Sequence, residues 1–367
     1  MESAEKFETK RLILITGVNS KERLKPAFAV AEILRKRGIQ SVFAFAPGSE
    51  LQKGIKEKGY EVVNFPKFAE SKGAVGNFLR SMNRKKIAKN AVKIMTDKHI
   101  SGVLTMGGVS AIPVIDAAVK MNLMIFIMEE NAEISSSNME VLPFAKRIYL
   151  PFAELMSGVD RSKALVTGVP VEKDVMSAVG RNIPTDKKLL VIFSCRHNSN
   201  SINELVRSLF RKYPEMRKEF FVLQETGEKE VASIQRFYDE LKVESLCYMQ
   251  YENRGKYYKT ADIIICRPTA DVVSELLASH KPGVFLPLPP NIDRYQKSNA
   301  ILLSKKDCGY LVEDSGGLVI RTKKLYSVLT SFLEKGDPVK QNIAKLQFEK
   351  AAAKVAEDME RVLLTGR

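Results

Sequence analysis

The sequence predicts an α/β fold made of two doubly wound domains, and three observations support this prediction. Short β-branched runs alternate with amphipathic helical stretches from end to end, which is typical of βαβ units with parallel strands. The chain has 367 residues, more than one hydrophobic core usually covers. Its 45% hydrophobic and 28% charged residues are those of a globular protein and exclude a disordered or fibrous one.

The first domain is predicted over residues 1–170. It begins with a buried strand at 11–16 and an amphipathic helix at 24–37. The further helices are expected after Gly48, at 75–98 and at 111–120. The remaining strands are expected at 41–46, 61–65, 101–105, 123–127, 147–150 and 163–167. A segment rich in Gly, Pro and charges at 168–187 is the candidate linker.

The second domain is predicted over residues 171–339. Its strands are expected at 188–193, 219–223, 244–249, 262–266, 283–287 and 308–312, with helices between them. The tail at 338–364 has the pattern of one long amphipathic helix with no strand after it. We therefore expect residues 340–367 to pack back on the first domain.

The chain carries a surplus of positive charge, with 58 Lys and Arg against 43 Asp and Glu. This surplus suits an anionic partner or membrane surface, and equally a solvated basic face. Nucleic acid is not an expected partner, because aromatic and basic residues are not interleaved. No apolar run is long enough to span a bilayer and the N-terminus lacks a signal-peptide core, so a cytoplasmic location is expected.

The predicted helix at 76–98 is basic and amphipathic. It combines the apolar Phe78, Leu79 and Met82 with the basic Arg80, Arg84, Lys85, Lys86, Lys89 and Lys93. This pattern predicts a peripheral contact with the anionic inner face of the cell membrane. The alternative is a solvated helix that packs on the first sheet through Ile87, Ala91 and Ile94.

Neither a metal nor an organic cofactor is expected. The sequence has no Asp-x-Asp pair, and no ligand spacing is seen at His99, His197 and His280. The cysteines also lack C-x-x-C spacing, and we expect buried free thiols at Cys195, Cys247, Cys266 and Cys308.

Residues 262–300 carry the clearest functional signal. A strand ends at Cys266, a turn contains Arg267 and Thr269, and a helix follows that contains Glu275. Backbone N–H groups at such a helix start attract phosphate, and the Thr269 hydroxyl is a further donor. A carboxylate one or two turns into the helix can accept hydrogen bonds from ribose hydroxyls. This segment is a candidate nucleotide site.

The chain resembles the MurG family, membrane-associated enzymes that add N-acetylglucosamine to a lipid-linked muramyl peptide. The matching segments follow one another in order at 26–38, 106–108, 129–131, 167–171 and 262–300. The resemblance implies a GT-B fold, in which two Rossmann-like domains face a central cleft. It places Glu275 at the ribose, Arg267 and Thr269 at the nucleotide and phosphates, and Gln296 and Asn299 at the donor sugar. It places Gly107, Gly108 and Asn131 on the acceptor side.

The chain departs from the family pattern after the first strand. The family has a glycine-rich loop there that ends in a histidine, the candidate general base, and this chain has Arg23 in its place, with Asn19 in the same loop. Arginine stays protonated and cannot accept a proton, although it can hold a phosphate. Glu129 or Glu130 is the nominated base, and a structural role at a strand end is an equal alternative.

The first loop of the second domain also departs from the family. The family's glycines are replaced over 194–199, and Ser194 and Arg196 are expected to hold the diphosphate instead. His197 is a weaker candidate for phosphate contact or proton transfer. Glu172 occupies a position where the family has an arginine.

The predicted function is metal-independent, inverting transfer of a sugar from UDP to a lipid-linked envelope precursor. The sugar is N-acetylglucosamine or a relative, and the acceptor is of peptidoglycan or pseudomurein type. Two alternatives stay open. One is an enzyme similar to UDP-N-acetylglucosamine 2-epimerase, and the other is a non-catalytic protein that binds a UDP-sugar.

Overall fold

The computed structural model describes residues 11–66, 74–194, 199–249, 254–313, 315–335 and 339–366. The chain divides into two compact units. The first unit comprises Met1–Glu130, Ile134–Pro170 and Lys350–Arg367, and the second comprises Asn131–Glu133 and Val171–Glu349. The short segment 131–133 therefore belongs to the second unit, although it follows a strand of the first.

Each unit contains one sheet in which all strands are parallel. The strands of the first sheet are β1 (Leu12–Thr16), β2 (Gln40–Phe45), β3 (Glu61–Asn64), β4 (Gly102–Thr105), β5 (Met124–Met128), β6 (Arg147–Leu150) and β7 (Ala164–Val166). Those of the second are β8 (Lys188–Phe193), β9 (Phe220–Thr226), β10 (Ser245–Met249), β11 (Ile263–Cys266), β12 (Gly283–Phe285) and β13 (Tyr310–Leu311). Each predicted strand has a counterpart here.

The strand orders are β3-β2-β1-β4-β5-β6-β7 and β10-β9-β8-β11-β12-β13. In both sheets the chain moves to one edge and then returns to build the other half. The order reverses between β1 and β4 in the first sheet and between β8 and β11 in the second. Ligands of open α/β sheets bind outside the carboxyl ends of the strands at such switch points. The two-domain, doubly wound α/β prediction is confirmed.

Helices occupy the connections between the strands. They are α1 (Lys21–Lys36), α2 (Leu51–Glu57), α3 (Ala74–Asp97), α4 (Ile112–Lys120), α5 (Ser136–Val141), α6 (Lys173–Met176), α7 (Ser199–Lys212), α8 (Met216–Glu219), α9 (Val231–Glu240), α10 (Gly255–Thr260), α11 (Ala270–Ala278), α12 (Pro290–Lys305), α13 (Gly317–Lys335), α14 (Val339–Leu346) and α15 (Ala351–Thr365).

The helix α1 begins three residues earlier than its apolar pattern predicts. The Ser20 hydroxyl accepts a hydrogen bond from the Arg23 backbone N–H and caps the helix, and Glu22 in the first turn favours the helix dipole. Its buried face includes Ala27 and Leu34, which pack in the core of the first unit. The cap therefore fixes where Arg23 lies.

The tail differs from the predicted single helix of 338–364. The helix α14 ends at Leu346, and Gln347 adopts a left-handed conformation with a φ of 53°, which breaks the helix. Residues up to Glu349 lie in the second unit, whereas the prediction assigned 340–367 to the first domain. Only α15 packs in the core of the first unit, through Val355 and Met359.

Candidate functional site

The switch point of the second sheet contains three of the predicted site residues. The strands β8 and β11 are paired, and their carboxyl ends lead to Ser194 and to the turn of Arg267 and Thr269. The helix α11 begins directly after this turn. The structure thus brings these residues to the edge of the sheet where the sequence analysis placed a nucleotide.

The side chain of Thr269 is engaged at the start of α11. Thr269 is the N-cap residue, and its hydroxyl donates a hydrogen bond to Asp271 Oδ1 at 2.7 Å. The Thr269 backbone N–H donates to the Arg267 carbonyl oxygen at 2.9 Å. These two bonds fix the turn between β11 and the helix.

Arg267 is buried and held from two sides. Its guanidinium donates hydrogen bonds to the carbonyl oxygen of Leu286, which follows β12, and to the Ser201 hydroxyl on α7. The positive charge is therefore fixed at the carboxyl edge of the sheet. A fixed cation there suits an anionic ligand, because no side-chain ordering accompanies binding.

A buried ionic network, which the sequence analysis missed, lies behind this turn. Arg254, 2% exposed, donates to both carboxylate oxygens of Glu225 at 2.8 and 3.1 Å. The third guanidinium nitrogen lies 3.9 Å from Asp271 Oδ2. Burial lowers the pKa of Arg254, but the Glu225 carboxylate outweighs this effect and holds the pKa above its usual value, so the guanidinium stays charged. The sequence signal for it was weak: Glu225 is a charged residue near the polar end of strand β9.

Glu275 lies in the second turn of α11 and is buried. Its Oε2 accepts a hydrogen bond from the Tyr258 hydroxyl on α10 at 3.0 Å. Burial, with a smaller contribution from Glu275, raises the pKa of Tyr258 well above its usual value. At neutral pH the Tyr258 hydroxyl therefore keeps its proton and donates the hydrogen bond to Glu275.

Gln296 and Asn299 on α12 are each 1% exposed and bonded to protein groups. Gln296 accepts from the Leu288 backbone N–H at 3.1 Å and donates to Asp293 Oδ2 at 3.1 Å. Asp293 has a non-helical φ of −150° and kinks the helix. These bonds place Gln296 against the loop that follows β12.

Asn299 joins three parts of the second unit. Its amide nitrogen donates to the Pro268 carbonyl oxygen at 3.0 Å and to Asn131 Oδ1 at 3.2 Å, and its oxygen accepts from the Ala132 backbone N–H at 2.7 Å. Asn131 thus lies beside a predicted donor-side residue, whereas the sequence analysis grouped it with the acceptor side. The sequence could not predict this position of Asn131, because residues 131–133 group with the second unit through contacts with residues distant in sequence.

Ser194 faces β9. Its hydroxyl donates to the Glu225 carbonyl oxygen at 2.8 Å and accepts from Gln224 Nε2 at 3.0 Å. These bonds tie the end of β8 to β9. Arg196, the second residue expected to hold the diphosphate, lies outside the described residues, as do Cys195 and His197.

The switch point of the first sheet is built on close backbone packing. A Cβ atom on Gly17 would lie 2.2 Å from the Gly107 carbonyl oxygen. Gly107 and Gly108 have φ values of 82° and 83°, which side chains disfavour. The Gly108 N–H donates to the Ser137 hydroxyl at 2.8 Å. The glycines at 107 and 108 are thus required by the backbone.

Arg23 lies over this glycine pair. A Cβ atom on Gly108 would lie 2.3 Å from Arg23 Nη1, so the half-buried guanidinium occupies the space that the glycine leaves. Among the described residues, no carboxylate forms an ion pair with it. Asn19 is exposed nearby in sequence and lines a cavity of about 180 Å³ together with Gly17, Val18, Phe45 and Phe65. The cavity is mainly apolar, and one of its lining residues, Val109, directly follows the glycine pair that Arg23 covers.

The two nominated bases differ in their surroundings. Glu129, 2% exposed, accepts hydrogen bonds from the backbone N–H groups of Glu130 and Ser135 at 2.9 and 2.8 Å. It also accepts from Asn138 Nδ2 at 2.8 Å. These three hydrogen bonds hold the loop that follows β5 around the Glu129 carboxylate. Glu130 is half-buried.

The described ranges contain no group of three or more His, Cys, Asp or Glu side chains placed to hold a metal ion. None of their helices combines the length and the apolar composition of a membrane-spanning segment. Cys247, Cys266 and Cys308 are buried free thiols, and burial raises the pKa of Cys247 and of Cys266 to about 12.

The sequence matches both domains of one enzyme family. Residues 16–150 match the glycosyltransferase family 28 N-terminal domain, and residues 190–359 match the family 28 C-terminal domain. Together with the two doubly wound sheets, these matches define the class of enzyme to which the chain belongs. The chain belongs to glycosyltransferase family 28 and has the GT-B fold.

Within this family the chain is a divergent relative of MurG. It is 24% identical over 363 residues to the UDP-N-acetylglucosamine–N-acetylmuramyl-(pentapeptide) pyrophosphoryl-undecaprenol N-acetylglucosamine transferase of Geobacter metallireducens, covering 95% of this chain and 97% of that protein. MurG of Acinetobacter baumannii superposes with a TM-score of 0.72 at 19% identity, over 96% of this chain and 99% of that one. The rhamnosyltransferase SpnG in complex with thymidine diphosphate gives 0.63 at 13% identity, over 95% and 100%.

Proposed function

We propose that this protein transfers N-acetylglucosamine, or a close relative, from its UDP derivative to a lipid-linked precursor of the cell envelope. The observation that carries the proposal is the start of α11, where Arg267, Thr269 and Glu275 lie in a chain that is similar to such transferases over nearly its whole length. The acceptor is of the peptidoglycan or pseudomurein type.

The donor would bind without a metal ion. The N–H groups at the start of α11 and the fixed guanidinium of Arg267 supply positive potential for the diphosphate leaving group. The negative charge of Asp271 in the first turn is partly offset by the hydrogen bond from the Thr269 hydroxyl and by Arg254, which lies 3.9 Å away. Glu275 then accepts hydrogen bonds from the ribose, and Gln296 and Asn299 contact the donor sugar.

The acceptor would bind through its phosphate. Arg23 offers a guanidinium that no described carboxylate neutralises, and it lies against Gly108, where a side chain would displace it. The acceptor hydroxyl attacks C1 of the sugar, the bond from C1 to the UDP oxygen breaks, and the configuration inverts. Glu130 is the proposed base that takes the hydroxyl proton, since Glu129 already accepts three hydrogen bonds.

The helix α3 supports a membrane contact through its lysines. Lys85, Lys89 and Lys93 are exposed one turn apart. Arg84 is instead hydrogen-bonded to Asp116 on α4 at 2.6 and 2.8 Å and to Glu140 on α5 at 2.7 Å. Its side chain therefore holds α3 against these two helices. Of the apolar part of the predicted pattern, Met82 is exposed, and the side chains of Phe78 and Leu79 lie outside the described residues.

We propose that the lysine row meets an anionic bilayer. Changing Lys85, Lys89 and Lys93 to Glu should lower binding to vesicles that contain anionic lipid by more than tenfold, because each lysine contributes about 1 kcal/mol near such a surface. Zwitterionic vesicles are the control. Equal binding of both proteins to anionic vesicles would contradict this contact.

The function is tested by sugar transfer. The protein is incubated with radiolabelled UDP-N-acetylglucosamine and a polyprenyl-pyrophosphoryl muramyl peptide, with and without EDTA. We expect labelled lipid product at equal rates in both samples. Release of UDP and an epimerised sugar without acceptor would favour the epimerase alternative, and binding without any product would favour the non-catalytic one.

A further inference from the structure

The short helix α10 and the residue before it make two buried side-chain contacts with α11. Tyr258 on α10 donates its hydrogen bond to Glu275, and Arg254, directly before α10, approaches Asp271. Both carboxylates lie on α11, one turn apart. The proposed ribose ligand, Glu275, is therefore oriented from a neighbouring helix.

We infer that Tyr258 is a positioning residue for the donor: it holds the Glu275 carboxylate in the orientation that receives the ribose hydroxyls. This inference rests on the proposed function. A carboxylate has several acceptor positions, so a bond from a phenol is compatible with bonds from ribose hydroxyls. Without the phenol, the Glu275 carboxylate would lose one of the bonds that fix its direction, and ligand affinity would fall because binding would then have to order it.

The surroundings of Tyr258 suit this task. The side chain is fully buried, and its ring packs edge-on against Phe193 at the end of β8, with 5.4 Å between the ring centroids. A fixed ring gives its hydroxyl a fixed direction. Burial raises the pKa of Tyr258 well above its usual value, so the phenol keeps its proton at neutral pH and can donate it.

The experiment is calorimetric titration of the full chain with UDP and with 2′,3′-dideoxy-UDP, which lacks the ribose hydroxyls. Tyr258→Phe should weaken UDP binding about tenfold, the usual effect of losing a hydrogen bond to a charged group. It should leave the affinity for dideoxy-UDP within about twofold, because that nucleotide does not use the Glu275 carboxylate. In turnover, the KM for the donor should rise more than kcat falls.

The matched control is Tyr149→Phe. Tyr149 is also fully buried and also donates to a carboxylate, Asp358 Oδ2 at 3.1 Å, but it lies in the first unit. This variant should lower thermal stability and leave both nucleotide affinities unchanged.

Two results would overturn the inference. An equal loss for both nucleotides in Tyr258→Phe would show a structural role only, and unchanged UDP affinity would show that Glu275 needs no orientation. Failure of the unmodified protein to bind UDP is a different outcome, because it removes the proposed function itself.

Discussion

The two switch points have the same strand topology, but the side chains around them differ in polarity. At β8 and β11 the space behind the turn is filled by a charged network of Glu225, Arg254 and Asp271. At β1 and β4 glycines approach each other, one guanidinium lies over Gly108, and a mainly apolar cavity lies at the strand ends. A doubly wound sheet thus supplies the position of a site, while the side chains at the strand ends decide whether it is rigid and polar or open and apolar.

The largest effect is expected from breaking the charged network. Arg254→Met should lower the free energy of unfolding by about 3 to 5 kcal/mol, because it leaves the Glu225 carboxylate buried without its main partner. Chemical denaturation measures the change. The control Arg37→Met removes half-exposed ion pairs with Glu357 and Glu360 and should cost at most about 1 kcal/mol.

The double variant Glu225→Leu with Arg254→Met sharpens this prediction. It should recover part of the lost stability, because an apolar pair of similar volume carries no desolvation cost. A double variant less stable than Arg254→Met would mean that the two residues do not act as a pair.

The next effect concerns the glycines of the first switch point. Gly17→Ala should cost about 2 to 4 kcal/mol, since its Cβ would meet the Gly107 carbonyl oxygen and its φ of 82° is unfavourable. Gly38→Ala is the control, because Gly38 has a similar φ of 80° and no atom within 4 Å of an added Cβ. That variant should cost about 1 kcal/mol. Equal costs would show that backbone contact does not matter here.

The smallest effect on stability is expected at Arg23. Arg23→Gln should change the free energy of unfolding by less than about 0.5 kcal/mol, since no described carboxylate pairs with it. It should lower kcat/KM for the acceptor about 10- to 100-fold, as expected for a lost charged hydrogen bond to phosphate. Lys36→Ala, at the far end of α1, should change neither quantity. Unaltered acceptor kinetics in Arg23→Gln would contradict the phosphate contact.

The fold was predictable because its signals are local. Buried β-branched runs such as Ile263–Cys266 mark strands, and the order of βαβ units predicts parallel sheets. The break of the tail at Gln347 was missed, because a left-handed residue inside a helical pattern leaves no trace in hydrophobic spacing. The start of α1 was missed for a related reason, since the apolar pattern does not include the Ser20 cap.

The candidate site was predictable only in part. The turn at Arg267 and Thr269 could be placed because a strand and a helix flank it closely in sequence. The partners of its residues could not, since Tyr258 and Glu275 are 17 residues apart and Arg254 and Glu225 are 29 apart. Glu129 was nominated as a base, together with Glu130, because Arg23 replaces the family's histidine, while the three hydrogen bonds of Glu129 are visible only in the fold.

We propose that the second unit holds a uridine nucleotide at the start of α11. Calorimetric titration with UDP in the absence of metal tests this, on the unmodified protein and on Glu275→Ala, with ADP as the control nucleotide. We expect saturable UDP binding, weaker ADP binding, and a loss of UDP affinity in the variant. Absence of UDP binding to the unmodified protein, or equal UDP affinity in the variant, would contradict it.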